Sequence, residues 1–249
     1  MNNINDIDLL YSQGIIYLGN FKDLAFKLKN NYLDNQNSNC DYIDSSERDF
    51  TRHCKLPLDN KDILGFLNSL EILKKLKKKN YLFRNKIDLI RWRSRSEKSG
   101  AFFYHSDGME NQISLMMLLS ENKNSSKMFF AKNTKKSFFL KFNNIFTGNK
   151  FKSSIFNKIL KNIFLLFAPI FNILVEKKYN IEKLSGDPGD CYIFNAGNFL
   201  HKANPIKGST RDIMHFNLTL NKSKVIENHK LNFDTFDQDL RPMIEVIGK

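Results

Sequence analysis

Hydrophobic residues change their spacing along this chain, and the changes divide it into strand-like and helix-like stretches. An apolar run at residues 14–21 is typical of a short strand, and leucines at helical spacing follow it as far as Leu33. Residues 36–58 are rich in Asn, Ser and Asp and show little periodicity. Because these residue types favour turns, the stretch predicts a long surface loop.

A helical pattern begins at Leu58 and continues to residue 79. Its apolar residues recur at spacings of three and four, and they are Ile63, Phe66, Leu67, Leu70, Leu73 and Leu76. Asp59 or Asn60 would cap the helix, because a short polar side chain there accepts a hydrogen bond from the first N–H groups. We expect the apolar stripe to pack on a sheet and to cover Trp92.

Two later stretches have the two-residue period of strands. Between residues 87 and 119, Ile90 and Trp92 would share one face of a strand. Three arginines would share its other face: Arg91, Arg93 and Arg95. A second strand-rich block covers residues 190–195 and 211–220. Strands at both ends of the core, separated by a helical segment, favour a barrel or jelly roll with helices outside it.

The helical segment between these blocks, residues 151–175, is amphipathic and basic. Five apolar residues share one stripe: Phe151, Ile155, Ile159, Ile163 and Phe167. Such a helix can lie on a membrane surface or cover a substrate site, but we expect this one to pack on the barrel. Because no linker divides the chain, we predict one domain, residues 1–249, with a helical insertion or lid around residues 143–182.

Composition excludes a disordered chain and bears on the class of partner. The 249 residues are 41% hydrophobic and 26% charged, which is typical of a folded protein with one core. The net charge of +13 would suit a nucleic acid or an anionic membrane. However, lysines are spread through the whole chain, and the one dense cluster, residues 74–80, ends a predicted helix, where cations are favoured. The sequence therefore carries no strong nucleic-acid signal.

We expect no transmembrane segment and a cytoplasmic location. The longest apolar stretch, residues 163–175, is shorter than the roughly 20 residues that a membrane-spanning helix needs. The N-terminus lacks the basic and apolar regions of a secretory signal. The three cysteines, Cys40, Cys54 and Cys191, form no CxxC pair, and their odd number argues against a disulfide framework.

Two side chains that commonly bind metals stand two positions apart in the sequence FYHSDG: His105 and Asp107. On a strand, side chains at i and i+2 point to the same side, so both can reach one ion. A third ligand must come from another segment, because one extended segment cannot wrap around an octahedral ion. His201 is the candidate, since a Gly-Asp turn, a short apolar strand and a second turn precede it.

Arg211 follows His201 by ten residues and begins another predicted strand. By alternation it shares the more polar face of that strand with Ile213, His215, Asn217 and Thr219. Two histidines and one carboxylate can occupy one face of an octahedral Fe(II) and leave three positions open for a chelating co-substrate and dioxygen. A buried distal carboxylate on that co-substrate would need a cation, and a guanidinium can pair with it through two parallel hydrogen bonds.

The order of HSD, GDCYIF, NFLH and STR, together with the N-terminal GIIYLGNF, resembles the phytanoyl-CoA dioxygenase-like branch of the Fe(II)- and 2-oxoglutarate-dependent oxygenases. The resemblance implies a mainly β fold with flanking helices, the double-stranded β-helix or cupin-like jelly roll. It implies that His105, Asp107 and His201 bind Fe(II) and that Arg211 binds the distal carboxylate of 2-oxoglutarate. It also implies hydroxylation of a small organic substrate by O2, with release of succinate and CO2.

Three features of the sequence bear on finer assignments. Many members of that family carry a hydroxyl residue two positions after the distal histidine, where this chain has Ala203, which leaves Thr210 or Asn204 to bind the co-substrate. Arg93 is a candidate for the inner carboxylate of 2-oxoglutarate or for an anionic substrate, and a solvated strand face is the alternative. Relatives that halogenate lack the aspartate, so Asp107 favours hydroxylation.

Two other classes of function remain open on the sequence. A non-catalytic cupin-like metal binder would keep the metal ligands but need no arginine for 2-oxoglutarate, so Arg211 argues against it. A basic nucleic-acid-associated protein, including an oxygenase that acts on nucleic acid, would bind random DNA with steep salt dependence. The sequence determines neither the substrate nor the oligomeric state, although the basic composition favours an anionic small molecule.

Overall fold

Two antiparallel sheets and their flanking helices make up the structure, a computed structural model. It describes residues 6–36, 38, 40–42, 50–58, 60–79, 81–84, 86–93, 102–107, 112–121, 127–135, 155–184, 186–204, 206–220 and 240–242. The helices are α1 (Asp6–Ser12), α2 (Lys22–Leu28), α3 (Lys61–Ser69), α4 (Glu71–Lys77) and α5 (Ile155–Lys178), and a π-helical turn, Lys29–Leu33, continues α2. The strands are β1 (Ile15–Asn20), β2 (Asp41–Tyr42), β3 (Phe50–Pro57), β4 (Tyr81–Arg84), β5 (Lys86–Arg93), β6 (Ile113–Glu121), β7 (Lys127–Ala131), β8 (Ile181–Leu184), β9 (Asp190–Phe194), β10 (His201–Asn204), β11 (Thr210–Leu220) and β12 (Leu240–Pro242).

The strands wind between a larger and a smaller sheet. The larger sheet has the order β1-β9-β6-β11-β5-β3-β2, and β4 pairs with both β11 and β12. The smaller sheet has the order β10-β7-β8, and residues 102–107 join its edge through a bridge between His105 and His201. Along the chain, β5, residues 102–107, β6 and β7 alternate between the sheets, and β8 to β11 then return along them. This winding is a double-stranded β-helix, so the predicted fold class is confirmed.

Helices α1 to α4 cover the outer face of the larger sheet. The apolar stripe predicted for residues 58–79 is buried there, against alternate side chains of the sheet such as Leu89, Met214 and Phe216. The stripe belongs to two helices, because Leu70 has an extended backbone (φ −86°, ψ 102°) that interrupts the helical turn. Asn60 caps α3, since its side chain accepts a hydrogen bond from the N–H of Asp62.

Trp92 does not lie beneath these helices, and that prediction is wrong. Ile90 and Trp92 face the interior between the two sheets, where they pack on a cluster that includes Met116 and Ile213. The helices instead contact the alternate face of β5, through residues such as Leu89. The two-residue period of β5 was predicted correctly, but it does not tell which face the helices cover.

The predicted surface loop at residues 36–58 is also wrong, since it contains β2 and β3. Strand β3 pairs with β5, and its residues Cys54 and Leu56 point into the helix-covered core. The same face carries Arg52, whose guanidinium donates hydrogen bonds to Asn35 and Ser38. A polar residue that is buried through such bonds conceals the alternating pattern of a strand, because it occupies a position where an apolar residue is expected.

Cys40 and Cys54 form a disulfide, although the odd number of cysteines argued against a disulfide framework. Antiparallel pairing of β2 with β3 brings these residues together, although they are fourteen positions apart in sequence. No sequence motif predicts a disulfide at that separation. The third cysteine, Cys191, is buried, and burial raises the pKa of its thiol. Because disulfides are typical of oxidising compartments, the pairing removes one argument for a cytoplasmic location.

Helix α5 packs on the outer face of the smaller sheet. Ala168, Phe171 and Val175 are buried against it, and the side chain of Asn172 donates to the carbonyl of Phe102 and accepts from the N–H of Tyr104, both at 3.0 Å. These residues form a different stripe from the one that was expected to pack. Of the expected stripe, Phe167 is exposed, and the other four side chains lie outside the described residues. In the described part of the chain, no helix is long and apolar enough to span a membrane.

A buried ion pair joins β5 to β11 on the outer face of the larger sheet. Arg91 donates two hydrogen bonds to the carboxylate of Asp212, at 2.8 and 2.9 Å, and Ser120 donates a third at 2.8 Å. Arg91 also pairs with Asp34 at 2.6 Å, and the bonds to the two carboxylates raise the pKa of the guanidinium. Since only 2% of the Asp212 side chain is exposed, its charge depends on these partners.

Replacement of Arg91 should therefore destabilise the protein much more than replacement of its neighbour on the same strand face. We expect Arg91→Ala to lower the free energy of unfolding by about 3 kcal/mol, because it leaves the carboxylate of Asp212 buried without its cation. Arg93→Ala removes an exposed arginine and should change it by less than about 0.5 kcal/mol. Urea denaturation of both variants measures the difference, and equal effects would contradict this account of the ion pair.

Candidate metal centre

The backbone brings the first and last predicted ligands together. His105 and His201 are 96 residues apart but exchange two hydrogen bonds, at 2.9 and 2.8 Å, in an antiparallel bridge. Residues directly opposite each other in such a bridge project their side chains to the same face. The two imidazole rings accordingly lie 4.5 Å apart between their centroids, on the interior side of the smaller sheet.

Asp107 completes the group. Its N–H bonds to the carbonyl of Ala196 at 3.1 Å, which fixes the chain just beyond the bridge. Its Oδ1 lies 3.1 Å from Nε2 of His201 and 4.0 Å from Nε2 of His105, and the three ligand atoms all lie within 4.8 Å of one another. Ligands about 2.1 Å from an ion and at right angles stand about 3 Å apart, so these donors need to close only slightly around one ion.

Backbone carbonyls orient both imidazole rings. Nδ1 of His105 lies 2.9 Å from the carbonyl of Phe103, and Nδ1 of His201 lies 3.4 Å from that of Phe199. A proton on each Nδ1 satisfies these carbonyls and turns Nε2 of each ring towards Asp107, where a bound ion would take its lone pair. The ring of Phe130 stacks on that of His201, with 6.4 Å between the ring centroids, and forms an apolar wall beside it.

Two of the three ligands, His105 and Asp107, have at neutral pH the protonation states that a metal ion requires. Burial and the nearby charge of His201 lower the pKa of His105 to about 4, so its ring is neutral. Burial opposes ionisation of Asp107, but the charge of His201 and its hydrogen bond outweigh this and lower the pKa of the carboxyl to about 2. A neutral imidazole and an ionised carboxylate can bind a divalent cation without first losing protons.

Gln112 holds the second oxygen of the carboxylate, and no sequence argument singled it out. Its side-chain amide donates to Oδ2 of Asp107 at 3.1 Å, and its backbone carbonyl accepts from the N–H of Gly197 at 3.0 Å. Only 7% of Gln112 is exposed, and it immediately precedes β6, which anchors it. Asp107 is therefore left with one oxygen, Oδ1, to offer to an ion.

Arg211 is buried and lies on the interior face of β11, as the strand alternation predicts. It stands opposite Trp92 of β5, and the next residue on its face, Ile213, packs between the two sheets. Two positions further on the same face stands His215, whose charge helps to lower the pKa of Asp107. The backbone of Arg211 therefore lies about 13 Å along β11 from that of His215, which is near the metal ligands.

Three further predicted contacts to the co-substrate do not lie on interior faces. Arg93 is exposed and shares the helix-side face of β5 with Arg91. Thr210 precedes Arg211 and by alternation shares the face of Asp212, and Asn204 is exposed at the end of β10. These positions give no support to a role at the site. Side chains alternate between the two faces of a strand, so each of these residues has a sequence neighbour that faces inward.

A second polar group faces the interior beside these ligands. Nε2 of His53 lies 2.7 Å from Oδ1 of Asp88. His215 stands opposite Asp88 in the register of β11 with β5. Sequence could not join these residues, because they come from three strands.

Comparison with known proteins supports the fold. No protein family and no curated protein sequence matches the chain. A Pseudomonas putida prolyl-4-hydroxylase is similar in structure, with 11% identity and a TM-score of 0.52 over 87% of this chain and 97% of its own. EctD from S. alaskensis, solved with 2-oxoglutarate and 5-hydroxyectoine, is 14% identical, with a TM-score of 0.51 over 88% of this chain and 78% of its own. HygX from Streptomyces hygroscopicus, solved with nickel and 2-oxoglutarate, is 10% identical, with a TM-score of 0.53 over 89% of this chain and 88% of its own.

Loss of the Gln112 side chain should weaken binding of a divalent cation without removing a ligand. We expect Gln112→Ala to raise the dissociation constant for Co(II) about 10- to 100-fold, because the carboxylate of Asp107 can then rotate away from its binding orientation. Ser114→Ala is the matched control, since that hydroxyl bonds to Asn217 and not to Asp107. Titration followed by the Co(II) absorption spectrum measures both, and an unchanged constant for Gln112→Ala would refute this role.

Proposed function

We propose that the protein is an Fe(II)- and 2-oxoglutarate-dependent oxygenase that hydroxylates a small organic molecule. One observation carries the proposal: two imidazoles and a carboxylate converge on one point inside a double-stranded β-helix. This donor set is the facial triad of non-haem Fe(II) oxygenases. The sequence order of the ligands and Arg211 suggests the phytanoyl-CoA dioxygenase-like branch, and the fold of the similar structures, which include a prolyl-4-hydroxylase, is consistent with the activity.

The residues at the site suit both groups that this activity needs. His105, Asp107 and His201 would hold Fe(II), and Arg211 would pair with the distal carboxylate of 2-oxoglutarate. When bound, these groups supply the oxidising chemistry, in which O2 converts 2-oxoglutarate to succinate and CO2 and a substrate C–H bond is hydroxylated. A co-substrate that chelates the metal would occupy two positions and O2 a third, so the protein must keep three of the six free.

The side chains around the ligands meet that requirement. The hydrogen bond from Gln112 reserves one oxygen of Asp107, so the carboxylate takes up a single coordination position. The carbonyls of Phe103 and Phe199 keep the two imidazoles from rotating, and Phe130 keeps water from one side of His201. Because 28% of the Asp107 side chain is exposed, the remaining side is open to a co-substrate and a substrate.

The interior wall beside the ligands bears on the class of substrate. The polar pair of His53 and Asp88 faces the interior, and His215 stands beside it on the next strand. Such a wall favours a molecule with hydrogen-bonding groups. The chain, residues 1–249, would form one domain, with α5 in the helical insertion or lid around residues 143–182.

The primary test is turnover by the purified protein. We expect Fe(II)- and O2-dependent conversion of 2-oxoglutarate to succinate, and we expect His105→Ala and Asp107→Ala to abolish both succinate formation and stoichiometric iron binding. The fold should survive, because these residues line a site and do not fill the core; far-UV circular dichroism checks this. Iron binding by the parent protein without any consumption of 2-oxoglutarate would instead favour a non-catalytic cupin-like metal binder.

A second test separates the co-substrate from the metal. Arg211→Ala should raise the dissociation constant for 2-oxoglutarate about 10- to 100-fold, because it removes a charge-assisted pair of hydrogen bonds. Iron binding should stay within about twofold of the parent protein, since the three ligands are unchanged. Anaerobic titration of the Fe(II) protein with 2-oxoglutarate, followed by visible absorbance, measures the constant. Arg93→Ala is the matched control, and an equal effect of the two substitutions would contradict the assignment.

A further inference from the structure

Helix α5 carries a second apolar face that the fold leaves exposed. Five large hydrophobic side chains form it: Leu166, 77% exposed, Phe167, 57%, Ile170, 54%, Ile173, 51%, and Leu174, 47%. They are five of the eight large hydrophobic residues that are exposed in the described part of the chain. Isolated exposed apolar residues are ordinary, but a contiguous group marks a surface that contacts something else.

The spacing of these residues makes them one continuous stripe. Positions 166, 170, 173 and 174 are separated by three and four residues, so their side chains lie above one another on the helix. Phe171 and Val175 point to the opposite side and are buried on the smaller sheet, and Ala168 is also buried. The stripe takes the place of the polar face that a surface helix normally turns to water. We call it the exposed face of α5.

The charges around the exposed face are positive. Residues 150–184 contain seven lysines and two glutamates. Lys177 continues the stripe, four residues after Ile173, and both it and Lys178 are exposed. The acidic residue of this part of the helix, Glu176, turns away and forms an ion pair with Lys202 of the smaller sheet at 2.6 Å. The exposed face thus ends in cations and includes no carboxylate between residues 166 and 178.

We propose that the exposed face of α5 docks on an anionic phospholipid surface. An amphipathic helix with bulky apolar residues on one side and flanking lysines lies in the plane of a membrane, with its apolar side at the boundary of the acyl chains. Acidic headgroups attract the lysines, and the net charge of +13 adds to that attraction. A second copy of this chain is a poorer occupant, because it would bring the same cations together across the interface.

Docking would not disturb the contacts that α5 makes with the fold. Asn172, which bonds to the backbone of Phe102 and Tyr104 beside the metal ligands, lies on the buried side of the helix. Substitutions on the exposed face should therefore leave the metal centre intact. Membrane binding and metal binding can be measured separately in the same variants, and the proposal does not depend on the reaction at the metal centre.

The test is sedimentation of the full chain with large unilamellar vesicles. We expect binding to vesicles of phosphatidylcholine mixed with phosphatidylserine, and weaker binding to phosphatidylcholine alone. Ile170→Glu should lower the partition constant at least about tenfold, because it places a carboxylate in the apolar face. Lys177→Ala should lower it about fivefold on the anionic vesicles, and high salt should remove that difference.

The matched control is Ile206→Glu, which adds the same charge at another exposed apolar residue, 39% exposed, in the loop between β10 and β11. Its partition constant should change no more than the altered net charge requires, about fivefold at most. Co(II) binding by each variant verifies the fold, and Leu166→Glu replaces Ile170→Glu if the latter unfolds. The proposal is overturned if the parent protein does not bind anionic vesicles, or if Ile170→Glu binds them as well as Ile206→Glu. It is also overturned if gel filtration shows a dimer that only the α5 variants dissociate.

Discussion

The antiparallel bridge between His105 and His201 is the interaction on which the metal centre depends. It closes the edge of the smaller sheet with two backbone hydrogen bonds and, by the geometry of directly opposed residues, turns both imidazoles to the same side. Asp107 reaches that side because its own N–H is held by Ala196, on the turn that leads into β10. A site built on backbone pairing is positioned more accurately than one carried by flexible loops.

Two carboxylates in this barrel, Asp107 and Asp212, are stabilised by neighbouring side chains. Asp107 is ionised inside the protein because His201 stabilises the charge and Gln112 satisfies its second oxygen. On the other side of β11, Asp212 is held by Arg91 and a hydroxyl, one residue away from Arg211. The two faces of one strand therefore carry different charges for different purposes. The outer ion pair joins Asp212 to β5, and the alternation of side chains along β11 presents the adjacent Arg211 to the interior.

Helix α5 contributes both to the order of the metal centre and to the exposed apolar surface. Its buried side holds the segment before His105 through Asn172, and so contributes to the order of the metal centre. Its other side presents Phe167 and Ile170 to solvent beside exposed lysines. A helix that is apolar on both sides needs two partners, and the fold provides one of them. The proposed second partner is a membrane, which would lie against the exposed face of α5, away from the barrel interior.

The sequence by itself determined the local features: the alternation that puts Arg211 on an inward face, the stripe of α3 and α4, and the i, i+2 spacing of His105 and Asp107. Each follows from the period of one element, which a chain carries in its residue types. Only the tertiary structure decided which strands pair and which faces are covered. Residues 50–57, which were predicted to lie in a loop, form β3. Gln112 hydrogen-bonds to Asp107, Arg93 faces outward, and α5 packs on the smaller sheet through a different side from the one predicted. These outcomes depend on contacts between residues far apart in sequence, and the same local pattern satisfies either face until a partner element covers one of them.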